Sequence, residues 1–381
     1  AFVASLLLTA AVRPLARRCR AVDRPDGARK VHRLPVPLWG GIAVYLALLL
    51  GLATARYGSF GAGDDLDELA LTLAAAAGLV CAVGAIDDRY QLRARVKLAL
   101  QTASVLPVVL AGYYADSVSL CGFTVELGWL GVPLTTLWLV GCINALNLLD
   151  GMDGLASTVG ISTALMLGVL AWFMGNDYVA VVAVALAAAL AGFLVHNLPP
   201  ASIFLGDSGS MVIGLAVGML SVQSTLKTSA TLALTAPLVA MTFPMFDTVL
   251  ALIRRRLTGR SVAMADRQHI HHRLLDRGLN QWRVLGIIAA LCLATGAAAT
   301  VAIVLRLEGL AWVTAVLLVV LVVRLRLFGV YELSLIAGAA GRLLVAVAAR
   351  LTSYAALRGL PAGKKFDDLS FAEGWQTLVE R

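Results

Sequence analysis

The chain has 381 residues, of which 60% are hydrophobic and 14% charged, and its formal net charge is +8. Soluble domains carry about 25% charged residues, so this composition excludes an ordinary water-soluble enzyme, a disordered protein and a disulfide-stabilised scaffold. Apolar runs of roughly 17 to 20 residues recur along the chain, each long enough for a helix to cross about 30 Å of hydrocarbon. The sequence therefore predicts an all-α, polytopic membrane protein.

Eleven apolar runs are separated by polar breaks, and we predict that each is a membrane span. In chain order they lie near 1–12, 39–55, 69–86, 96–113, 129–146, 157–174, 178–195, 209–226, 230–246, 284–304 and 310–323. The first run is short, and basic residues follow it where a signal-peptide cleavage site would lie. We therefore interpret it as a residual first span and not as a signal peptide.

Basic residues are concentrated in alternate connections between the predicted spans. Of the 31 Lys and Arg residues, 28 fall within residues 13–38, 87–97 and 247–283 or after residue 323. The positive-inside rule assigns these segments to the cytoplasm, so the N-terminus is predicted outside and the C-terminus inside. We interpret the positive charge as a product of topology, suited to anionic lipids and phosphate-bearing substrates, and expect no nucleic-acid binding.

Acidic residues occur both outside and inside in this topology. The run at 64–68, between spans two and three, is interpreted as a solvated external loop. Asp87 and Asp88 follow span three on the cytoplasmic side, where two adjacent carboxylates oppose the helix dipole and repel each other. That placement favours a cation or a proton-transfer role, and a solvated turn paired with neighbouring arginines is the alternative.

The connection after span five carries oxygen ligands without any basic residue. Asn147 precedes an Asp-Gly-x-Asp-Gly turn that contains Asp150 and Asp153. Glycines allow such a turn to be tight and leave backbone amides exposed beside the carboxylates. Because Mg²⁺ binds through one or two carboxylates together with substrate phosphates, this pattern predicts a magnesium site, with a plain turn as the alternative.

Span eight begins with the sequence Gly-Asp-Ser-Gly-Ser at 206–210. Small residues and free amides at a helix N-terminus form a natural phosphate site. Asp207 could also act only as an N-cap.

Three of the five histidines lie within four residues, in the long connection after span nine. Arginines flank them, and no cysteine is near. Imidazoles beside guanidinium groups hold phosphate more often than metal, so we predict substrate binding, with zinc binding and a plain basic surface as alternatives. All these connections, together with residues 29–41, fall on the predicted cytoplasmic face, which favours a single active site there.

With these five motifs in order between about residues 29 and 275, the sequence resembles the polyprenyl-phosphate N-acetylhexosamine-1-phosphate transferase family, which includes phospho-N-acetylmuramoyl-pentapeptide translocase. His-x-His-His at 269–272 is similar to the branch that uses UDP-N-acetylglucosamine or a related UDP-sugar. The pentapeptide branch has three consecutive histidines followed by an acidic residue, which this chain lacks. Val-Ala-Met at 262–264 departs from the branch, which often carries an aromatic residue there, so the sugar stays open.

The resemblance also implies the roles of individual residues. The expected catalytic residues, of which the first two lie near the attacking lipid phosphate, are Asp87, Asp88 and Asp150. The expected ligands of Mg²⁺, for which Mn²⁺ could substitute, are Asn147 and Asp207. The uridine site is expected to contain Asn197, Asp153 and, stacked on the base, Phe204. The sugar and diphosphate are expected to meet His269, His271, His272, Arg260 and Arg267.

The implied reaction transfers a sugar 1-phosphate from a UDP-sugar to a polyprenyl phosphate and releases UMP. This would be the first membrane step of cell-envelope glycan synthesis, at the cytoplasmic face of a bacterial inner membrane. Attack could be direct or pass through an aspartyl intermediate, and a homodimer is one possible assembly. The alternatives are a UDP-MurNAc-pentapeptide or other UDP-N-acetylhexosamine donor, a secondary transporter, or a lipid-binding scaffold. A coupled transporter would need ionisable groups at mid-span, and the predicted spans contain none.

Two regions follow from this interpretation. Residues 1–330 form a transmembrane catalytic domain, whose active-site connections are 29–41, 87–97, 144–156, 196–210 and 247–283. Residues 331–381 form a cytoplasmic or interfacial tail, because a twelfth span would bury Arg342 near its centre at a cost of about 2.5 to 3.5 kcal/mol. A disordered tail is the alternative.

Overall fold

A computed structural model describes residues 1–23, 35–58, 63–120, 123–224, 242–258 and 269–305, with isolated positions between 313 and 324. In this part of the chain the helices are α1 Phe2–Arg18, α2 Gly40–Tyr57, α3 Gly63–Tyr90, α4 Ala94–Leu110, α5 Gly131–Leu149, α6 Leu155–Phe173, α7 Asp177–Asn197, α8 Gly206–Gln223, α9 Thr242–Leu257, α10 Ile270–Asp276 and α11 Gln281–Val304. The predicted tail and most of the predicted ninth and eleventh spans lie outside the described residues.

Six of the described helices, α2, α3, α5, α6, α7 and α11, are long and apolar enough to cross a membrane. The predicted fold class, a mostly helical polytopic membrane protein, is thereby confirmed. The count of eleven spans and the orientation of the termini stay predictions. Two short antiparallel hairpins lie in connections that the sequence left as loops, and their strands are β1 Val22–Asp23, β2 Val36–Pro37, β3 Ser117–Leu120 and β4 Phe123–Glu126.

Several helices extend beyond their predicted limits into charged sequence, as α3 and α1 illustrate. Helix α3 begins at Gly63, so the acidic run predicted as a loop forms its first turns. Helix α1 continues through Pro14 and ends with Arg17 and Arg18 in its last turn. Acidic residues at a helix N-terminus and basic residues at a C-terminus are favoured by the helix dipole, so these charges extend the helices that apolar length alone would end.

Helix α8 lies at the centre of the described structure. Every residue of this helix except Asp207 is buried, and it packs against α2, α3, α5 and α6. A helix that is apolar on all sides is stable only when surrounded by other helices. Because Asp207 lies in the first turn of α8, the packing of the bundle fixes the position of this carboxylate at one end.

Glycines permit the closest approaches to α8. A Cβ atom on Gly41 of α2 would overlap the backbone of Gly209, and one on Gly84 of α3 would meet the carbonyl carbon of Asp207 at 2.5 Å. Small residues allow helices in membranes to approach to backbone contact, which strengthens dispersion attraction and excludes lipid. The start of α8 is therefore enclosed by the backbones of α2 and α3.

We expect Gly41→Ala to destabilise the protein by about 1–3 kcal/mol, the usual cost of overpacking. The added methyl group would meet backbone atoms, which cannot rotate away as a side chain can. The measurement is thermal unfolding of the purified protein in detergent. Gly286→Ala in α11 is the control, because a Cβ atom there would have no described atom outside the backbone of its own helix turn within 4 Å. Equal melting temperatures for the two variants would contradict the expectation.

Candidate active site

An ammonium group organises the polar end of the bundle. Lys97, in the first turn of α4, places Nζ 2.7 Å from Oδ2 of Asp87 and 2.5 Å from Oδ2 of Asp207. It also donates to Oδ1 of Asn147 at 3.1 Å. Three helices, α3, α5 and α8, thus direct oxygen atoms toward one cation on a fourth, and these oxygens come from residues far apart in the sequence.

The adjacent carboxylates of Asp87 and Asp88 have different surroundings. Asp87 is buried and accepts the backbone N–H of Leu92 at 2.6 Å in addition to its contact with Lys97. Asp88 accepts the backbone N–H groups of Asp207, at 2.7 Å, and Ser208, at 3.3 Å. Asp88 therefore accepts hydrogen bonds from two backbone amides at the start of α8, whereas Asp87 contacts the ammonium of Lys97.

The residues expected to bind metal are in direct contact. Asn147 donates Nδ2–H to Oδ1 of Asp207 at 2.7 Å and to Oγ of Ser210 at 2.9 Å. Among the described residues, no three His, Cys, Asp or Glu side chains form a group able to hold a metal ion. Two carboxylates and one amide oxygen nevertheless converge on the ammonium of Lys97, and oxygen ligands of these types are the ones used by a Mg²⁺ site completed by substrate phosphates.

A cavity of about 810 Å³ opens beside this cluster. Of the residues predicted for the site, it is lined by Asp88, Asp150, Asp153, Asn197, Phe204, Asp207 and His272. Its volume is within the range of sites that enclose a small organic ligand. The C-terminal end of α3, the connections after α5 and α7, and His272 of α10 thus meet at one end of the helices, as their common predicted side implies.

Two polar side chains join the walls of this cavity. Asp153 accepts the backbone N–H of Ala201 at 2.9 Å. Asn197, which is 3% exposed, accepts the N–H of Gly154 at 3.1 Å and donates to the carbonyl oxygen of Ile203 at 3.0 Å. Both therefore hold the α5–α6 turn against the α7–α8 connection. Gly154 has a φ of +75°, a conformation that favours glycine, which explains the glycine in this turn.

Carboxylates crowd the cavity wall. Burial raises the pKa of Asp150 well above its usual range, and the carboxylates of Asp207, Asp88 and Asp153 raise it further. Like charges in one site each disfavour the ionised form of the others. A cation bound among them would relieve this repulsion, as would the proton that the raised pKa retains on Asp150.

The aromatic residue of the site is fixed through its backbone. Phe204 donates its N–H to the carbonyl oxygen of Pro37 at 2.8 Å and accepts the N–H of Gly40 at 3.1 Å. Gly41 donates to the carbonyl oxygen of Leu205 at 2.9 Å. These three backbone bonds pair residues 204–205 with the segment that leads from β2 into α2. The backbone that carries the Phe204 ring is therefore held in place.

The three histidines do not occupy equivalent positions. His272 lines the cavity, whereas His269 and His271 are 4% and 1% exposed and lie behind it. The ring of His271 lies 4.2 Å from that of His272, measured between centroids, and its Nε2 faces Gly151. Burial lowers the pKa of His271 well below its usual range, with further lowering by His272 and His269, which favours a neutral imidazole.

Six of the predicted residues are thus not placed on the cavity wall. Asp87 and Asn147 lie beside it in the Lys97 cluster, and His269 and His271 lie behind His272. Arg260 and Arg267 lie outside the described residues.

Sequence reasoning missed Lys97, which it counted only as a charge that orients the chain. A usable signal was present, because a cation in the first turn of a helix is disfavoured by the dipole. Such a placement needs a compensating partner, here the carboxylates of Asp87 and Asp207. Asp23, Gln281 and Trp282 also line the cavity, and no pattern in the sequence distinguishes them from loop residues.

Comparison with known proteins adds a family match and several relatives. Residues 70–225 match the model of glycosyl transferase family 4. The chain is 36% identical over 289 residues to a probable undecaprenyl-phosphate N-acetylglucosaminyl 1-phosphate transferase of Bacillus subtilis, covering 74% of this chain and 78% of that protein.

Two further relatives come from other bacteria. A decaprenyl-phosphate N-acetylglucosaminephosphotransferase of Mycolicibacterium smegmatis is 36% identical over 327 residues, which cover 79% of this chain and 80% of that protein. An undecaprenyl-phosphate alpha-N-acetylglucosaminyl 1-phosphate transferase of Escherichia coli K12 is 30% identical over 303 residues, which cover 77% of this chain and 80% of that protein. The family match at 70–225 includes most of α3 and all of α4 to α8, and with them most of the residues that line the cavity.

Proposed function

The chain belongs to glycosyl transferase family 4, and we propose that it transfers N-acetylglucosamine 1-phosphate from UDP-N-acetylglucosamine to a polyprenyl phosphate, releasing UMP. The observation that carries this proposal is one cavity that brings together clustered carboxylates, an aromatic side chain and a histidine at the end of a membrane bundle. The named substrates of the relatives, N-acetylglucosamine and polyprenyl phosphates, agree with it. A secondary transporter is not favoured by these relatives.

The reaction requires one bond to form and one to break at phosphorus. A phosphate oxygen of the lipid attacks the sugar-linked phosphorus of the donor, the bond to the bridging oxygen breaks, and that oxygen leaves with UMP. Three phosphate groups must approach one another, so their repulsion has to be offset before attack in line with the leaving group. The charged side chains that line the cavity are mostly carboxylates, so we assign that compensation to a cation held among them, with His272 as the basic group on the wall.

We propose that Asp207 and Asn147 hold Mg²⁺, with Mn²⁺ as a substitute. The bound ion would neutralise diphosphate charge and favour departure of UMP. Lys97 contacts the same oxygens and keeps Asp207 and Asn147 aligned. Asp88 holds the start of α8, and hence Asp207, through two backbone amides.

The acceptor phosphate is assigned to the side of Asp87. This carboxylate lies in the Lys97 cluster and off the wall of the donor cavity. From there it can orient the phosphate, or take a proton from its monoanionic form, before attack. Asp150, with its raised pKa, is a second group able to carry a proton beside the reacting phosphates.

The uridine is assigned to the wall that contains Phe204, where the pairing with the β2–α2 segment fixes the ring. The basic connections support a cytoplasmic active site in a bacterial inner membrane, with the N-terminus outside. This topology leaves the lipid-facing surface of the bundle available for contact with a second copy of the chain, so a homodimer is compatible with it.

The proposal is tested with the purified full-length chain by measuring release of UMP from UDP-N-acetylglucosamine. We expect release only when polyprenyl phosphate and Mg²⁺ are both present, together with a lipid-linked product that retains the sugar and both phosphates. Release of UDP, or a lipid product with one phosphate, would show a different reaction. UDP-N-acetylgalactosamine and UDP-MurNAc-pentapeptide as alternative donors would report the sugar.

We expect Phe204→Leu to raise the KM for the UDP-sugar about tenfold, because stacking of a base on an aromatic ring contributes about 1–3 kcal/mol. The KM for polyprenyl phosphate should not change. Phe204→Tyr retains the ring and serves as the matched control. An equal rise in both KM values would place Phe204 elsewhere than at the uridine.

A further inference from the structure

A buried carboxylate contacts the start of the segment that carries the three histidines, residues 269–272. Asp247 of α9 is 1% exposed, and its Oδ2 lies 2.8 Å from Nδ1 of His269. Its Oδ1 accepts the backbone N–H of Ile270, the first residue of α10, at 3.4 Å. One carboxylate therefore binds both the side chain of His269 and the backbone that follows it.

This pair fixes the orientation of the imidazole. The contact joins Oδ2 of Asp247 to Nδ1 of His269, and a hydrogen bond there needs the ring nitrogen as donor wherever the carboxylate oxygen accepts. Burying a polar group costs free energy unless it is hydrogen-bonded, and each member of the pair satisfies the other. A ring held at Nδ1, with the next amide held by the same carboxylate, has little freedom to turn.

The effect reaches the cavity through stacked rings. The rings of His269 and His271 are nearly parallel, at 9°, with centroids 5.8 Å apart. The ring of His271 contacts that of His272, and His272 lines the cavity. Within the described part of the chain, both nitrogen atoms of His271 are buried without a hydrogen-bond partner, so the contacts of this ring there are packing contacts. The orientation of His269 therefore determines the space available to His271 and His272.

We propose that Asp247 is a positioning residue that, through its bond to His269, directs His272 into the donor cavity. His269 then acts as a support behind the cavity and does not itself contact the substrate. The proposal rests on the proposed function for the identity of the donor. The arrangement of Asp247, His269 and Ile270 does not depend on it.

The test uses the full-length protein and four variants, Asp247→Ala, Asp247→Asn, His269→Ala and the double alanine variant. The first readout is equilibrium binding of UDP, and the second is hydrogen exchange at the amides of α10. We expect Asp247→Ala and His269→Ala each to weaken UDP binding about tenfold, and the double variant to lose no more than either single one, since members of one network are not additive. Exchange in α10 should accelerate in all three.

Two variants separate positioning from a general loss of structure. Asp247→Asn keeps an oxygen that accepts a hydrogen bond and should recover most of the UDP binding. Asp276→Asn removes an exposed carboxylate at the end of α10 and should leave binding and exchange unchanged. In turnover, the KM for the UDP-sugar should rise in Asp247→Ala while the KM for polyprenyl phosphate stays constant.

Additive losses in the double variant would show that His269 contacts the donor directly and would overturn the proposal. Unchanged UDP binding in Asp247→Ala would overturn it as well, and so would an equal rise in both KM values. If the wild type binds UDP but releases no UMP, the proposed function fails, while UDP binding and exchange still report whether Asp247 positions the histidines.

Discussion

Replacement of Lys97 by methionine is expected to reduce turnover about a thousandfold. The side chain of Lys97 is 17% exposed and pairs with two carboxylates, those of Asp87 and Asp207. Removing one partner of a buried ion pair costs about 3–5 kcal/mol of folding stability, because the remaining charge is left uncompensated. Here two charges are left, and they belong to the residues assigned to the lipid phosphate and the metal, so we expect both to lose their alignment. The expected thousandfold loss of rate corresponds to a barrier raised by about 4 kcal/mol.

The measurement is UMP release at saturating substrate, with thermal unfolding to confirm that the variant is folded. Arg95→Met is the matched control, because Arg95 is an exposed cation in the same turn of α4. Lys97→Arg keeps the charge. The planar guanidinium group does not match three oxygens arranged around one nitrogen, however, so we expect partial activity. If Lys97→Met retained more than a tenth of the activity, Lys97 would be only a structural residue.

The sequence predicted the six helices that are long and apolar enough to cross a membrane, because length and apolar content depend on the chain alone. It failed where charges decide a helix end, as at Gly63 of α3, since a run of acidic residues is compatible with both a loop and a helix start. The sequence did not predict the hairpins β1–β2 and β3–β4, for another reason. Strands of two to four residues have too few positions for a periodic pattern.

The site was predicted as a set of residue types and not as a set of contacts. Carboxylates at span ends stand out because the bilayer makes them costly, and the resemblance supplied their roles. Partners such as Lys97 for Asp207, or Asp247 for His269, lie 110 and 22 residues apart and meet only when the helices pack. The division of the histidines between a cavity wall and a buried support also depends on that packing.

Replacement of Asp207 by asparagine is expected to reduce turnover by a factor of about a thousand and to move the Mg²⁺ titration to higher concentration. The variant preserves the size of the side chain but removes the charge that pairs with Lys97 and that a divalent cation would require. The amide that replaces one oxygen would also face the donating Nδ2 of Asn147 or the ammonium of Lys97. Asn147→Ala, which removes a neutral ligand, should have a smaller effect in the same direction.

The decisive measurement is UMP release as a function of Mg²⁺ for each variant. Asp177→Asn is the control, because Asp177 is also an aspartate in the first turn of a helix, α7, but is exposed and lies at the opposite end of α7 from Asn197, which lines the cavity. If Asp207 served only to stabilise the N-terminus of its helix, Asp207→Asn and Asp177→Asn would lose the same small amount of folding stability. The Mg²⁺ titration would then not move in either variant. A shift confined to Asp207→Asn and Asn147→Ala requires that these two side chains share a cation, which is the arrangement that their common contact with Lys97 already provides.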